Sequence, residues 1–162
     1  MEILKNSDYI ENDLTKVYPE TGWKQIDRDV KLTISRFEKA SDTIEFKAVT
    51  NMLRDILEKI SNEVYEVDKH QPITFVGNVS NSDIKRKLEG YFKYNYKGKS
   101  NDEYLNFAIS TVNLVNKLVH SSSQTMLNLR MGIEATLMLI RIINLTNSME
   151  EQKLSSITIL EK

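Results

Sequence analysis

The sequence predicts an all-α protein, an antiparallel bundle of five or six helices. Apolar residues recur every three or four positions over most of the chain, which is the period of an amphipathic helix. The 162 residues include only five Gly and two Pro, whereas a β-sandwich or barrel generally needs more turn-forming residues. The segments between the periodic stretches are short, as they are in helical bundles.

The first part of the chain contains three predicted helices. A short apolar stripe predicts a helix over residues 8–18, and a longer stripe predicts one over residues 23–40. Asp42, followed three residues later by Glu45, resembles a capping box. It is expected to start a third helix, whose apolar stripe continues to about residue 67.

The middle of the chain combines a predicted loop with a fourth helix. Residues 68–81 break the helical period and contain a Pro, a Gly and several Asn and Ser residues. They are expected to form the longest irregular segment, in which "ITFV" could be a short extended piece. Asn81 or Ser82 is a suitable N-cap for a helix over residues 83–94.

Two further helices are predicted in the last third of the chain. Ser100 and Glu103 form a second capping-box pattern, and the stripe that follows runs to about residue 119. The Ser run at 121–123 offers an N-cap for a long helix over residues 124–146. That helix is apolar almost all round, so it is expected to be central or to lie in an oligomer interface.

The whole chain, 1–162, is expected to form a single domain, because its length suits one hydrophobic core. Residues 1–22 are expected to be an N-terminal arm or short helix. Residues 148–162 are expected to be a tail, either a weak final helix or a docked strand.

Composition excludes several kinds of function. The net charge is -1, so any contact with nucleic acid requires a local basic patch. No Cys is present, which excludes disulfides and thiolate metal sites. The chain shows no secretory signal, no membrane-spanning run and no Gly-rich phosphate loop, and its two His residues fall on different elements. We therefore expect a cytoplasmic protein that uses no metal or other cofactor and does not contact a membrane.

One polar helix face is a candidate site. Asn116, Lys117 and His120 follow Asn113 by three, four and seven positions, which places all four opposite the apolar stripe of their helix. Two amides, an ammonium and an imidazole in one line could contact a phosphate or a base, and His120 can titrate near neutral pH. The alternative is structural, because a His at a helix C-terminus interacts well with the helix dipole.

The stretch "IKRKLEGYFKYNYKGK" is a candidate nucleic-acid interface. Cations interleaved with aromatic rings suit single-stranded nucleic acid, where phosphates pair with Lys and bases stack on rings. The candidate residues are Lys85, Arg86, Lys93, Tyr94, Tyr96 and Lys97. The alternative is that Leu88, Tyr91 and Phe92 pack in the core while the Lys residues solubilise its rim.

Two pairs with helical i, i+4 spacing combine opposite charges. They are Arg54 with Glu58, and Arg130 with Glu134. A surface pair contributes only about 0.3–0.5 kcal/mol, so either pair would matter more if the bundle or a dimer buried it.

The segments "AVTNMLRDILEKI" and "NLVNKLVHSSSQTMLNLRMGIEATLMLIRII" resemble the HEPN superfamily over about residues 43–147. They are most similar to a bacterial branch of unknown function with an Arg–Glu helix, a later Asn-x-x-x-His and a final long apolar helix. The resemblance implies an antiparallel bundle, commonly dimeric, with the His-bearing helix ends facing each other across the dimer. Many HEPN proteins are metal-independent endoribonucleases of toxin–antitoxin and phage-defence systems, and others are non-catalytic RNA-binding or docking modules.

The ribonuclease branch carries an Arg a few residues before its His, usually with a polar residue after the Arg. Asn116 and His120 match the polar position and the His, but the positions for the Arg hold Asn113, Leu114 and Val115. RNA cleavage needs a cation to stabilise the charged transition state. The resemblance therefore implies a non-catalytic interaction or RNA-binding module of a prokaryotic defence or stress system.

We expect this module to be a homodimer through its last helices, with RNA or another protein as its partner. Two alternatives remain open. The first is a metal-independent endoribonuclease toxin, with His120 as general acid and base and Lys117 or Arg130 as the stabilising cation. The second is a structural or regulatory helical bundle.

Overall fold

Six helices make up the part of the chain that the structure describes, which in this computed structural model is residues 20–74, 83–97 and 102–160. For residues 71–74 and 153–160 only the backbone is described. The helices are α1 (Lys24–Lys39), α2 (Thr43–Val64), α3 (Val67–Thr74), α4 (Ile84–Asn95), α5 (Asp102–His120) and α6 (Met126–Leu160). The prediction of an all-α bundle of five or six helices is confirmed, and the described ranges contain no strand.

The helix that begins after Asp42 starts as predicted. The Asp42 carboxylate accepts the backbone N–H of Glu45 at 2.8 Å, which satisfies one donor of the first turn of α2. Glu45 does not complete the box. Its carboxylate instead accepts from Arg36 Nε at 3.0 Å, and this ion pair joins the end of α1 to the start of α2.

The start of α1 is held by a residue that the sequence pattern did not single out. Asp27 is buried, and its carboxylate accepts the Thr21 hydroxyl at 2.8 Å and the backbone N–H groups of Thr21 and Gly22 at 3.0 and 3.2 Å. Gly22 has φ +87°, a conformation that side chains disfavour. Asp27, in the first turn of α1, thereby holds the segment that precedes the helix.

The core lies around α2, which contacts α1, α4, α5 and α6. Its buried face follows the predicted stripe, with Val49, Leu53, Ile56, Ile60 and Val64 all nearly inaccessible to solvent. Val67 was predicted to extend this stripe to the end of the same helix. The prediction is wrong, because α2 ends at Val64 and Val67 is an exposed residue of α3.

The prediction of a loop over residues 68–81 is wrong for its first half, which is α3. The helix is closed at its start by two hydrogen bonds between the same residues. The Glu66 N–H donates to His70 Nδ1 at 2.8 Å, and the His70 N–H donates to the Glu66 carbonyl at 2.9 Å. Burial of His70 against α4 stabilises two helical turns despite Pro72. Residues 75–82 lie outside the described part.

The last helix is longer than predicted and begins later. The Ser run at 121–123 does not cap it. Thr125 does, because its hydroxyl accepts the Asn128 N–H at 3.2 Å. Helical backbone then continues to Leu160, so residues 148–160 extend α6 and are neither a separate helix nor a strand.

Three other predictions fall on residues outside the described part, namely the helix over 8–18, the cap by Asn81 or Ser82, and the capping box that begins at Ser100. Asp83 directly precedes α4, and its side chain makes no capping hydrogen bond. Among the described helices, none is long and apolar enough to cross a membrane.

Candidate functional site

The polar face of α5 is exposed at the C-terminal end of the helix. His120 is the last residue of α5 and is exposed, as are Asn113 and Lys117, while Asn116 is half-buried. The His120 ring makes no hydrogen bond to another residue of the described ranges. The helix end is closed instead by Gln124, whose Nε2 donates to the Leu118 carbonyl.

Arg130 lies at the same end of the bundle as His120. A Cβ added at Gly132 would lie 2.7 Å from Leu118 Cδ1, so the last turn of α5 is packed on the start of α6. The Arg130 side chain is only 21% exposed, and its Nε donates to Glu134 at 2.9 Å, which confirms the predicted i, i+4 pair. The other predicted pair does not form, because Arg54 and Glu58 make no ion pair in the described structure. Glu134 therefore already neutralises Arg130, one of the two cations considered for this site.

The structure divides the predicted nucleic-acid residues of α4 into two groups. Lys85, Arg86 and Lys93 are exposed on the helix, where Arg86 pairs with Asp83 at 3.3 Å and Lys93 with Glu89 at 2.5 Å. The second group, Tyr94, Tyr96 and Lys97, lies at the C-terminal end of α4 and lines a cavity. Leu88, Tyr91 and Phe92 are core residues, as the structural alternative predicted.

We call this cavity the Lys–Tyr cleft. It has a volume of about 510 Å³ and lies between α3, the end of α4 and the C-terminal half of α6. Its principal lining residues are Lys69, Tyr94, Tyr96, Lys97, Met149 and Glu150. Lys97 Nζ lies 5.8 Å from the centre of the Tyr94 ring, a cation–π distance. The hydrogen bond to Glu66, at 2.7 Å, raises the pKa of Lys69.

Beside the cleft, three rings form an aromatic ladder from the core to the surface. Phe92 is buried, and its ring centre lies 6.0 Å from that of Tyr96 with nearly parallel planes. The Tyr96 ring lies in turn 4.7 Å from that of Tyr104, at the start of α5. The Tyr96 hydroxyl shares a 2.5 Å hydrogen bond with Thr146 on α6, which fixes the middle ring. Tyr104 is 41% exposed, so the ladder ends in a ring that solvent reaches.

A buried histidine lies behind the cleft. His70 is 2% exposed, and its ring centre lies 5.2–5.9 Å from those of Tyr65, Tyr91 and Tyr94. Burial lowers its pKa, although the nearby Glu66 acts in the opposite direction. Because Nδ1 accepts the Glu66 N–H, the neutral ring carries its proton on Nε2. Its position and charge state suit it to hold α3 against α4 and to support Tyr94.

Lys87 is a further cation that the sequence placed at the rim and the structure places inside. It is 4% exposed, and its Nζ donates to Asn62 Oδ1 on α2. Burial lowers its pKa, and Glu58 and Asp83 oppose that effect. Lys87 therefore links α4 to α2 and does not belong to the exposed basic surface.

Sequence reasoning missed Lys69, Tyr104 and His70. Lys69 and His70 fell in a segment interpreted as a loop, and Tyr104 lies outside the Lys- and Tyr-rich stretch that the sequence singled out. No periodic signal links these residues to α4, because the contacts form only when α3 and α5 pack on it. In the described part of the chain, no group of three or more His, Asp or Glu side chains is placed to hold a metal ion.

Comparison with known proteins adds no relative: no family model, no curated protein and no solved structure matches the chain.

Proposed function

We propose that this chain is a non-catalytic module that binds single-stranded RNA along the Lys–Tyr cleft and the exposed ring of Tyr104. The observation that supports this most is the aromatic ladder beside the two lysines that line the cleft, Lys69 and Lys97. On the basis of the HEPN resemblance, we also propose that the module belongs to a prokaryotic defence or stress system of the cytoplasm.

The ladder supplies a fixed stacking surface. Tyr96 is fixed by Phe92 and Thr146 and lies against Tyr104 from the core side, so the outer face of the Tyr104 ring is presented to solvent. A base that stacks on such a ring contributes about 1–3 kcal/mol to binding, whatever its identity. This arrangement favours a single strand with unpaired bases over a duplex.

The lysines supply contacts for the phosphates. Lys97 and Lys85 are exposed and make no ion pair within the described ranges, and Lys93 is paired only with a neighbour on its own helix. A surface ion pair is worth about 0–1 kcal/mol, so a phosphate can replace Glu89 at little cost. Because Glu150 also lines the cleft and the whole chain has a net charge of -1, we expect moderate, strongly salt-dependent affinity.

The experiment is a binding titration by fluorescence anisotropy, with a short labelled RNA of mixed sequence. Wild type is compared with Tyr104→Ala, Lys97→Ala and Lys47→Ala. Lys47 is an exposed lysine of α2 outside the cleft and serves as the matched control. Tyr104→Ala should weaken binding roughly 5- to 150-fold, the equivalent of one stacked base, and Lys97→Ala should reduce the dependence on salt.

The RNA-binding proposal would be contradicted if the affinity did not change with salt, with Tyr104→Ala or with Lys97→Ala. It would also be contradicted if Lys47→Ala lowered the affinity by the same amount. The chain would then be a structural or regulatory bundle. A duplex of the same sequence is the second control, since stacking on Tyr104 requires unpaired bases.

An endoribonuclease is the second candidate, favoured by one observation. The packing of Leu118 on Gly132 places His120 and Arg130 at one end of the bundle. Purified wild type and His120→Ala are incubated with labelled cellular RNA in EDTA, which excludes metal-dependent contaminants. We expect neither protein to cut, because Glu134 already holds Arg130. Cleavage by wild type alone would replace the binding proposal with the toxin proposal.

We also propose that the module is a homodimer. Most of the large apolar side chains that the described part exposes to solvent lie on one helix, α6. A protein that exposes several apolar side chains along one helix is prone to associate. The solution mass, measured by light scattering, should be near twice 18.8 kDa.

A further inference from the structure

The outer face of α6 carries an apolar stripe that the bundle does not cover. Five exposed side chains form it, and we call them the α6 stripe: Leu127, Met131, Met138, Leu145 and Met149. Leu127 and Leu145 are 69% and 60% exposed. The core face of the same helix carries Leu129, Ile133, Ile140 and Ile143, each at most 1% exposed.

The spacing of the stripe is that of a helix-pairing seam. Its members are separated by four, seven, seven and four residues. A seven-residue apolar repeat keeps one line of side chains facing a partner helix when two helices coil around each other. At about 1.5 Å per residue, the seam from Leu127 to Met149 is about 33 Å long.

The same spacing reads identically in both directions, with Met138 at its centre. When a second copy of α6 is laid antiparallel with Met138 opposite Met138, Leu127 lies opposite Met149, and Met131 lies opposite Leu145. A two-fold interface needs a patch that complements itself. A seam for a different protein has no need of this symmetry.

The charges on the seam also distinguish the two orientations. Glu134 and Arg141 lie on the same face as the stripe, one on each side of Met138. A parallel pair in register would place Arg141 against Arg141, and would place Glu134, which also pairs with Arg130 on its own helix, against Glu134. Like charges at facing positions of paired helices repel each other. In the antiparallel pair, Glu134 of one copy lies within one residue of the level of Arg141 of the second copy.

We infer that α6 pairs with α6 of a second copy of this chain in antiparallel orientation, with Met138 at the two-fold axis. This inference rests on the proposed homodimer and adds its surface, orientation and register. It also separates the His120-bearing bundle ends of the two copies, since each lies near the start of its own α6. The HEPN resemblance implied the opposite, namely that these ends face each other.

The test uses single cysteines, which the chain permits because it has none of its own. Met138→Cys should form a disulfide-linked dimer on mild oxidation, since the residue lies beside its own copy at the axis. Leu127→Cys alone should not link to itself, because its two copies would be about 33 Å apart. Leu127→Cys mixed with Met149→Cys should give the crossed dimer. Ile44→Cys, at the most exposed apolar position outside α6, is the control for random collision.

The solution mass, measured by light scattering, distinguishes failure of the homodimer proposal from failure of the proposed α6 pairing. A wild type that stays monomeric at high concentration overturns both the homodimer and its proposed pairing. A dimeric wild type in which Leu127→Cys links to itself has parallel helices, and one in which no stripe cysteine links faster than Ile44→Cys uses another surface. Either of these last results overturns the pairing and leaves the homodimer standing.

Discussion

The environment of His70 comes mainly from the packing of the helices around it and less from its neighbours in the sequence. Its Nδ1 accepts the Glu66 N–H, and three tyrosine rings surround it. A proton on Nδ1 would break that hydrogen bond and place a charge in a buried site. The folded protein therefore keeps the ring neutral at a pH where the unfolded chain would already begin to protonate it.

This predicts a stability that depends on pH in a known direction. The pKa of His70 is lowered from 6.5 in the folded state. Between the lowered value and 6.5, the unfolded chain binds more protons than the folded one, so stability rises with pH in that window. The contribution is fully present above 6.5 and is lost as the pH falls towards the lowered pKa.

The measurement is urea denaturation of wild type and His70→Phe at about pH 7.5 and about pH 5.5. Phe retains a ring among the tyrosines but loses the acceptor for Glu66, so it should cost about 1–2 kcal/mol at the higher pH. The difference from wild type should shrink at the lower pH, because Phe cannot be protonated. A His70→Phe difference that is the same at both pH values would contradict this account.

At the scale of the elements, two glycines predict opposite responses to the same substitution. In α4, a Cβ on Gly90 would lie 3.0 Å from His70 Cβ and 3.3 Å from the His70 carbonyl oxygen, neither of which can move without moving α3. In α6, a Cβ on Gly132 would meet Leu118 Cδ1, the flexible end of a side chain, at 2.7 Å. Both substitutions gain about 1 kcal/mol of helix propensity.

We therefore expect Gly90→Ala to lower the free energy of unfolding by about 1–3 kcal/mol, because overpacking outweighs the propensity gain. Gly132→Ala should stay within about 1 kcal/mol of wild type, because Leu118 can change rotamer. Urea denaturation of both variants at one pH checks the contrast. The packing account fails if Gly90→Ala proves as stable as Gly132→Ala.

The sequence predicted the long helices because their burial is periodic, as in α2, and because Asp42 is a strong N-cap. It could not predict α3. That helix is closed by the imidazole of His70, which is not a usual capping side chain, and it is stabilised by packing on α4. The predicted end of α6 also came too early. Residues 147–160 contain neither Gly nor Pro, and helical backbone continues through them. The change from apolar to polar residues over 147–152 therefore marks where the helix leaves the core and not where it ends.

The same limit applies to the candidate site. Composition identified the Lys and Tyr residues of α4, and the structure places Tyr94, Tyr96 and Lys97 together at the cleft. Lys69 and Tyr104 join them only through the packing of α3 and α5, because contacts between helices leave no period in the sequence. Lys87 shows the reverse case, since its neighbours in sequence are exposed cations and only the position of α2 buries it.

In the molecule as a whole, the two faces of α6 differ, since one completes the core and the opposite one carries the α6 stripe. Only folded chains can pair through the stripe, whereas unfolded chains cannot. The stability of the folded protein should therefore depend on protein concentration. A tenfold increase in concentration adds about 0.7 kcal/mol per chain, half of the 1.4 kcal/mol that it adds per dimer. For a chain of this length, we expect Tm to rise by about 2 °C.

Leu145→Glu should remove this dependence without harming the core, because Leu145 is already mostly exposed in the single chain. The Tm of Leu145→Glu should equal that of wild type at the lowest concentration. As the concentration increases, it should lie further and further below the wild-type Tm. Ile44→Glu changes an exposed apolar residue at the start of α2 and should keep the wild-type slope. Calorimetry or circular dichroism over a hundredfold range of concentration measures all three. Equal slopes in wild type and Leu145→Glu would mean that the stripe contributes nothing to the folded assembly, whereas a lower Leu145→Glu Tm at every concentration would assign Leu145 to the core.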